Sequence, residues 1–375
     1  MKSLSKTMLR SELNHLARPS QASLNSGVEP SKRAFARVPD NVWAIVLAGG
    51  EGQRMSPQIR CWKGCALPKQ YCAFVGNRSM LRHTVDRASR VVNSNQIITV
   101  VAKDHLIHLR EGLSANMPGR PLQEPTSRGT AAGVFLAASY ILAADPNATF
   151  VILPSDHFVY PESVFAHEIT ELVRTAQVFG NRLILLGAKP DRPEHDYGWI
   201  QPGREQEKRL REVRGFWEKP ASTQARSFLR GVHLWNTMVM AATGQTLWRL
   251  GRSFFPGMME KFTVLRGSLE AIYHGTPKAD HRPIQDDGTD THRGCYSHLS
   301  LLERVYADMT PADFSNELLQ RASRQMLVYE MDDRVLWSDW GRPERVCESL
   351  RLIGKTSRFC QALAISQPAA SAGSG

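Results

Sequence analysis

The sequence predicts an α/β fold, a mixed and mostly parallel sheet flanked by helices. Three observations carry this. Short apolar runs of strand length alternate with segments of helical period through the first half of the chain, the pattern of βαβ units. The runs are apolar throughout instead of alternating, as strands covered on both faces are. The most unusual polar residues follow the carboxyl ends of those runs, where open α/β sheets bind their ligands.

Residues 42–48 (VWAIVLA) form an apolar run closed by Gly-Gly and read as a buried strand. Residues 80–91 have helical spacing, and 96–102 (QIITVVA) are strand-like. Residues 130–143 are Ala-rich and helical; after Asp-Pro, 150–154 (FVILP) form another buried strand. A helix over 162–179 precedes the strand 182–188 (RLILLGA). The second half is more mixed. Residues 209–218 read as a strand running into Lys219-Pro220, 223–230 as a helix and 233–242 as a strand. Helical material dominates 246–323, and a hairpin-like pair follows, 326–330 and 335–337, turning at Asp332-Asp333.

Composition narrows the function classes. The 375 residues suffice for one large α/β domain or two smaller ones. No apolar stretch reaches the ~20 residues of a membrane span, and no repeat of fixed period is present. The formal charge of +11 invites an anionic partner: nucleic acid, a membrane surface or a phosphorylated small molecule. Residues 1–38 hold +5 of it, are rich in Ser, Arg, Lys and Asn, and read as a disordered basic tail, an organelle presequence being the other reading. Residues 39–365 form the folded domain and 366–375 a second low-complexity tail. Six cysteines do not make a disulfide framework in a chain this long, and a reducing cytoplasm is the simplest setting. Cys61, Cys65 and Cys72 crowd one loop-like stretch as C-x3-C-x6-C, but no paired knuckle follows, so they read as structural or tolerated thiols in preference to a zinc site.

The first strand runs into Leu47-Ala48-Gly49-Gly50-Glu51-Gly52-Gln53-Arg54. A dinucleotide fingerprint needs a glycine where Met55 stands, and a P-loop needs Gly-Lys-Ser/Thr where the chain has Gly52-Gln53-Arg54; neither fits. What remains is a glycine-rich turn whose bare amides can approach an anion, with Arg54 as a fork for phosphate oxygens. Downstream come Leu67-Pro68-Lys69-Gln70, then Glu124-Pro125 with Arg128 and Thr130 at the mouth of the Ala-rich helix, then Leu153-Pro154-Ser155-Asp156-His157. Tyr197-Gly198, Glu218-Lys219-Pro220, Leu234-Trp235-Asn236 and Trp337-Ser338-Asp339-Trp340-Gly341 complete the series.

In order and spacing these eight motifs, between residues 43 and about 345, resemble the sugar-1-phosphate nucleotidyltransferases, and most of all their mannose-1-phosphate guanylyltransferase branch. The resemblance implies the Rossmann-like fold of nucleotide-diphospho-sugar transferases. It implies in-line attack of a sugar-1-phosphate oxygen on the α-phosphorus of a nucleoside triphosphate, with pyrophosphate leaving. The attacker is already anionic, so the work is positioning and charge neutralisation. On this frame Leu47, Ala48, Gly49, Gly50 and Gly52 cradle the nucleotide, and Glu124, Arg128 and Thr130 lie near the base. Arg54 holds the β/γ-phosphates and Lys69 the α-phosphate, while Asp156 and Asp339 bind Mg²⁺. Tyr197, Gly198, Glu218, Lys219 and Asn236 take the sugar phosphate. The best substrate pair is GTP with mannose-1-phosphate, in a cytoplasmic enzyme of polysaccharide biosynthesis, a homodimer being compatible.

Each role has a plainer rival. Asp156 and Asp339 also suit turn and helix caps, Glu218-Lys219 a solvated pair, and His157 a structural histidine. Departures from the family pattern fall in the pockets that choose substrates. Arg128-Gly129-Thr130-Ala131-Ala132 replaces the usual R-N-T-A-P form, and Thr237-Met238-Val239 follows Leu-Trp-Asn where the family has Ser-Gly-Met. Another hexose-1-phosphate and nucleotide pair is therefore the first alternative, and a silent nucleotide-sugar-binding regulator the second. Nucleic acid lacks any recognisable module here.

Overall fold

The computed structural model describes residues 38–112, 117–274 and 293–366, so of the two predicted tails all but Val38 and Ser366 lie outside the described residues. The strands are β1 Val42–Ala48, β2 Ile97–Ala102, β3 Arg120–Glu124, β4 Thr149–Pro154, β5 Phe158–Tyr160, β6 Leu183–Ala188, β7 Gly198–Glu207, β8 Leu210–Glu218, β9 Leu234–Thr243, β10 Met326–Glu330 and β11 Leu336–Ser338. All but β5 and β11 form one sheet in the order β3-β2-β1-β4-β9-β6-β10-β8-β7. β1 runs parallel to β2 and β4, β2 to β3, and β6 to β10. β9 enters antiparallel between β4 and β6, and β7 and β8 pair antiparallel at one edge. The sheet is thus mixed and α/β in class, but among the described residues four of its pairings are parallel and five antiparallel, so it is not the mostly parallel sheet expected: β9 runs against β4 and β6, and β8 and β7 add antiparallel at the edge.

Both faces are covered, which is why β1, β4 and β6 carry no polar alternation. Gly129–Ala144 packs on one face, buried nearly all round because Gly244–Phe254 and Pro256–His274 lie over it. Met80–Ala88 and Glu162–Val178 cover the other face. A third, smaller core matters more for function. Met55 and Ile59 after the glycine-rich turn, Phe74, and Trp340, Val346 and Phe359 near the C-terminus pack together. Trp340 stacks on Phe158 at 4.5 Å and meets Phe74 edge-on at 5.5 Å. This cluster brings the first strand's exit loop against the last helices.

Two local expectations are corrected. The pair 326–330 and 335–337 is no hairpin, although a turn is present, Val335 N donating to Asp332 O at 2.9 Å. β10 is apolar enough (Met326, Leu327 and Val328 are buried) to enter the main sheet between β6 and β8, whereas β11 pairs with β5 in a separate two-stranded sheet. The stretch carrying Cys61 is helical, Ser56–Lys63, started with a proline in its first turn and stopped by Gly64 at φ 74°. Cys61 and Cys65 are exposed, and burial pushes the Cys72 thiol up to about 12. Among the described residues these three cysteines form no metal-ligating group. Cys347 and Cys360 are bonded, one staple between the helices Pro343–Leu352 and Arg358–Ser366. No helix among the described residues is long and apolar enough to cross a membrane.

Candidate active site

The exit of β1 is shaped by close approaches. A Cβ on Gly49 would stand 2.9 Å from Glu124 Oε2, and Gly52, at φ +60°, would bring one to 3.0 Å from Lys69 Cβ. Gln70 Nε2 donates to the carbonyls of Ala48 (2.9 Å) and Gly50 (2.6 Å), which fixes the turn. Leu47 O accepts from Ser155 N at 3.1 Å, tying the turn to the end of β4. β1 and β4 are neighbours in the sheet, so Asp156 arrives beside the turn as a consequence of strand order.

Lys69 is the hub. It is buried, and its Nζ lies 2.8 Å from Asp156 Oδ2 while also donating to the backbone carbonyl of Asp339. Asp339 is saturated with donors. Its Oδ1 accepts from Tyr197 OH (2.8 Å), Arg345 Nη1 (2.7 Å) and Gly341 N (2.8 Å), and its Oδ2 from Arg54 Nη2 (3.0 Å). Burial alone would raise the pKa of Asp339, but the Lys69 and Arg345 charges outweigh it and hold the carboxyl well below its usual range. Asp156 behaves alike, burial being overcome by Lys69. Burial lowers the His157 pKa as well, against the pull of Asp156, and so favours its neutral form.

Both aspartates are therefore ionised, the Asp156 carboxylate on the Lys69 ammonium and the Asp339 carboxylate on Arg54 and Arg345, and their hard oxygens are the donor chemistry that suits a hard divalent cation. The tight turn after Asp339 needs Gly341, where a Cβ would fall 2.4 Å from Asp339 Oδ2 and 2.6 Å from Arg54 Nη2.

Around this centre the other predicted residues fall into two groups. Glu124 is buried at the end of β3, accepts from Tyr306 OH at 3.2 Å, and is pushed up to about 7 by burial. Arg128 and Thr130 open the helix Gly129–Ala144, but their polar atoms are engaged by the end of the helix Arg293–Ala307 and the segment after it. Arg128 donates to the carbonyls of Tyr306 (3.0 Å) and Ala307 (2.9 Å), and Thr130 Oγ1 accepts from Phe314 N (2.9 Å). On the far side of the sheet's centre lie Gly198, Glu218 and Asn236. A Cβ on Gly198 would meet Glu218 Oε2 at 2.8 Å and Asn236 Cβ at 3.1 Å. Burial raises the Glu218 pKa against the pull of Lys219, whose exposed Nζ is 3.4 Å away. Tyr197 is buried with its hydroxyl on Asp339, so it joins the carboxylate centre more directly than Gly198 does.

Backbone strain gathers here too. The positive-φ residues other than glycine include Lys219 (+47°), Met238 (+57°) and Trp340 (+46°), neighbours of Glu218, Asn236 and Asp339 in the chain. Such conformations cluster at functional sites.

Several participants carry no signal that sequence reasoning picked up. Arg345 is buried, pairs with Asp339 and Asp196 (3.2 Å), and lies over the Tyr197 ring at 4.6 Å. Asp196 also takes Arg54 Nη1 at 3.3 Å. Nothing in the local sequence marks Arg345, whereas Asp196 adjoins the Tyr197-Gly198 motif and could have been found from that adjacency. Tyr306 (on Glu124), Ser315 (whose hydroxyl reaches the Met238 sulfur) and Gln320 (whose Oε1 accepts from Glu218 N at 3.1 Å) come from the stretch 246–323 read as helical, without any motif.

The model of the family described as nucleotidyl transferase matches residues 43–255. A mannose-1-phosphate guanylyltransferase of Escherichia coli is 32% identical over 206 residues, 52% of this chain and 42% of that protein. The xanthan biosynthesis protein XanB of Xanthomonas campestris pv. campestris is 32% identical over 200 residues, 52% of this chain and 41% of that one. The chain thus spans about two fifths of the length of these curated relatives. The crystal structure of mannose-1-phosphate geranyltransferase from Thermus thermophilus superposes with a TM-score of 0.64 at 23% identity, covering 82% of this chain and 79% of that one, a likeness of fold. With the family match covering more than half of its length, the chain belongs to the nucleotidyl transferase family.

Proposed function

We propose that this chain transfers a guanylyl group from GTP to mannose-1-phosphate, releasing pyrophosphate, in the cytoplasm. The observation that carries the reading is that Lys69 joins the Asp156 carboxylate to the backbone of Asp339, whose own carboxylate holds Arg54, at the mouth of the glycine-rich turn. The name of the Escherichia coli relative supports guanylyl transfer to mannose-1-phosphate, and that of XanB a place in polysaccharide biosynthesis.

The chemistry follows from the charges. Two phosphorylated anions must approach each other, and the chain answers with Arg54, Lys69 and Lys219 along the cleft. Arg54 is half exposed, so its guanidinium can turn from Asp339 to the β/γ-phosphates. Lys69 is buried and held on two sides, a fixed charge for the α-phosphate. Glu218 and Asn236 orient the sugar, and Lys219 its phosphate. Asp156 and Asp339 would hold Mg²⁺, which when bound neutralises charge on the transferring phosphoryl oxygens. No group need act as base, because the attacking phosphate oxygen is already anionic. A homodimer is compatible with this reading.

A second reading, a nucleotide-sugar binder without turnover, draws on the three donors already seated on Asp339 Oδ1. Pyrophosphate release with Mg²⁺, measured across a grid of nucleoside triphosphates and hexose-1-phosphates, separates them. Turnover greatest with GTP and mannose-1-phosphate is the expected result. Turnover with another pair corrects the specificity, and binding without turnover on any pair favours the second reading.

A further inference from the structure

Between the pairs Leu185↔Met240 and Gly187↔Asn236, two steps along β6 match four along β9, so β9 bulges over Thr237–Val239. Thr237 seals the bulge: its hydroxyl donates to Leu186 O at 2.7 Å and accepts from Val239 N at 3.2 Å. Met238 rides at the apex with φ +57°, a backbone conformation costly for any residue with a long side chain. Bulges next to sites serve to re-aim a side chain. Here the re-aimed side chain meets Asn236. Asn236 Nδ2 donates to Met238 Sδ at 3.3 Å, and Met238 N donates to Asn236 Oδ1 at 3.1 Å. Ser315 Oγ donates to the same sulfur at 3.1 Å, fixing the thioether from the opposite wall. Both ends of one carboxamide are thus held by a single residue, in a pocket where Gly198 lets Asn236 and Glu218 come close.

We infer that Met238 is a positioning residue that sets sugar selectivity, by locking the Asn236 carboxamide in one orientation. This rests on the sugar-1-phosphate reading above. A carboxamide presents a donor on one side and an acceptor on the other. Held still, it favours one hydroxyl configuration at the hexose carbon it faces; free to rotate, it accepts either. Met238 would thereby act on discrimination between epimers, and leave nucleotide binding alone.

The test is calorimetric titration of the full chain with mannose-1-phosphate, with glucose-1-phosphate, its epimer at C2, and with GTP, for the wild type, Met238→Gly and Ser315→Ala. Glycine suits φ +57°, so the first variant keeps the bulge and the backbone bond to Asn236 Oδ1 and removes only the thioether that holds Nδ2. The ratio of the two sugar-phosphate Kd values should shrink by roughly fivefold or more in Met238→Gly, and by less in Ser315→Ala, with the Kd for GTP unchanged. An unchanged ratio in Met238→Gly would overturn the inference, as would parallel weakening of all three ligands, which marks a purely structural role. A wild type that binds both epimers equally has no selectivity for Met238 to set, and also overturns it. A wild type that binds GTP but neither sugar phosphate removes the sugar-1-phosphate reading itself, and this inference with it.

Discussion

Arg54 Nη2 sits 3.0 Å from Asp339 Oδ2 although 285 positions separate them in the chain. Asp339 at the same time anchors buried Arg345 at 2.7 Å. Asp339→Asn should therefore do two things at once. It should lower pyrophosphate release by about 10³-fold or more, as loss of a preorganised charge in such a site does. It should also cost about 3 kcal/mol in urea unfolding, since Arg345 is left buried without its full partner. A normal rate with reduced stability would show that Asp339 is structural and takes no part with the metal.

Glu124 makes stability depend on pH. Its pKa stands at about 7 in the fold, above that of an exposed glutamate. The raised value means that the folded state binds the proton more tightly than the unfolded chain does. The associated stabilisation is complete below about pH 4.5 and is lost as pH rises through about 7. Glu124→Gln cannot ionise and escapes that loss. Relative to the wild type it should gain on the order of 2–3 kcal/mol between about pH 4.5 and about pH 8, followed by urea unfolding across that range. A difference between the two proteins that does not vary with pH would contradict the buried, protonating Glu124.

Glu218→Gln should separate sugar binding from chemistry. The carboxyl is largely buried beside Gly198 and Asn236 and pairs with Lys219. We expect KM for the sugar phosphate to rise about tenfold with kcat within about twofold, as when uniform binding is lost. A fall in kcat at constant KM would move Glu218 into the reacting centre.

The bond between Cys347 and Cys360 closes a loop with a sequence separation of 13. For a loop of that size the chain-entropy model gives about 3 kcal/mol. Cys347→Ser, or reduction with dithiothreitol, should lower unfolding stability by up to that amount, with the two treatments non-additive. Equal stability with and without reductant would mean that the thiols are free in solution.

Much of the fold is legible in the sequence because burial on both faces leaves a plain signature. The runs at β1 and β6 are apolar from end to end, β4 but for its first residue Thr149, and the helix Gly129–Ala144 is Ala-rich and buried on nearly every side. β3 and β7 escape such reading, since strands with polar residues, RPLQE and the outer half of GWIQPGREQE, carry no such pattern at the sheet's two edges. The expected hairpin after residue 325 fails for a related reason. Adjacency in sequence suggests pairing, but the buried residues of β10 find more cover between β6 and β8 than against β11.

At the site, the chemical types and their order are legible in the chain: a glycine-rich exit, Arg54, Lys69, Asp156, Glu218-Lys219 and Asp339, each beside a strand end or a bend. Local composition and turn chemistry suffice for that, because they act over a few residues. Which of these residues meet is set by the fold. Lys69 joins Asp156 to Asp339, Arg345 supplies a buried charge that no motif announced, and Arg128 turns to the backbone of Tyr306 and Ala307. Those pairings depend on strand order and on the small core of Met55, Phe74, Trp340 and Phe359. The free energy of burying these apolar side chains is local to the folded state, and it sets the geometry of charges that lie hundreds of residues apart.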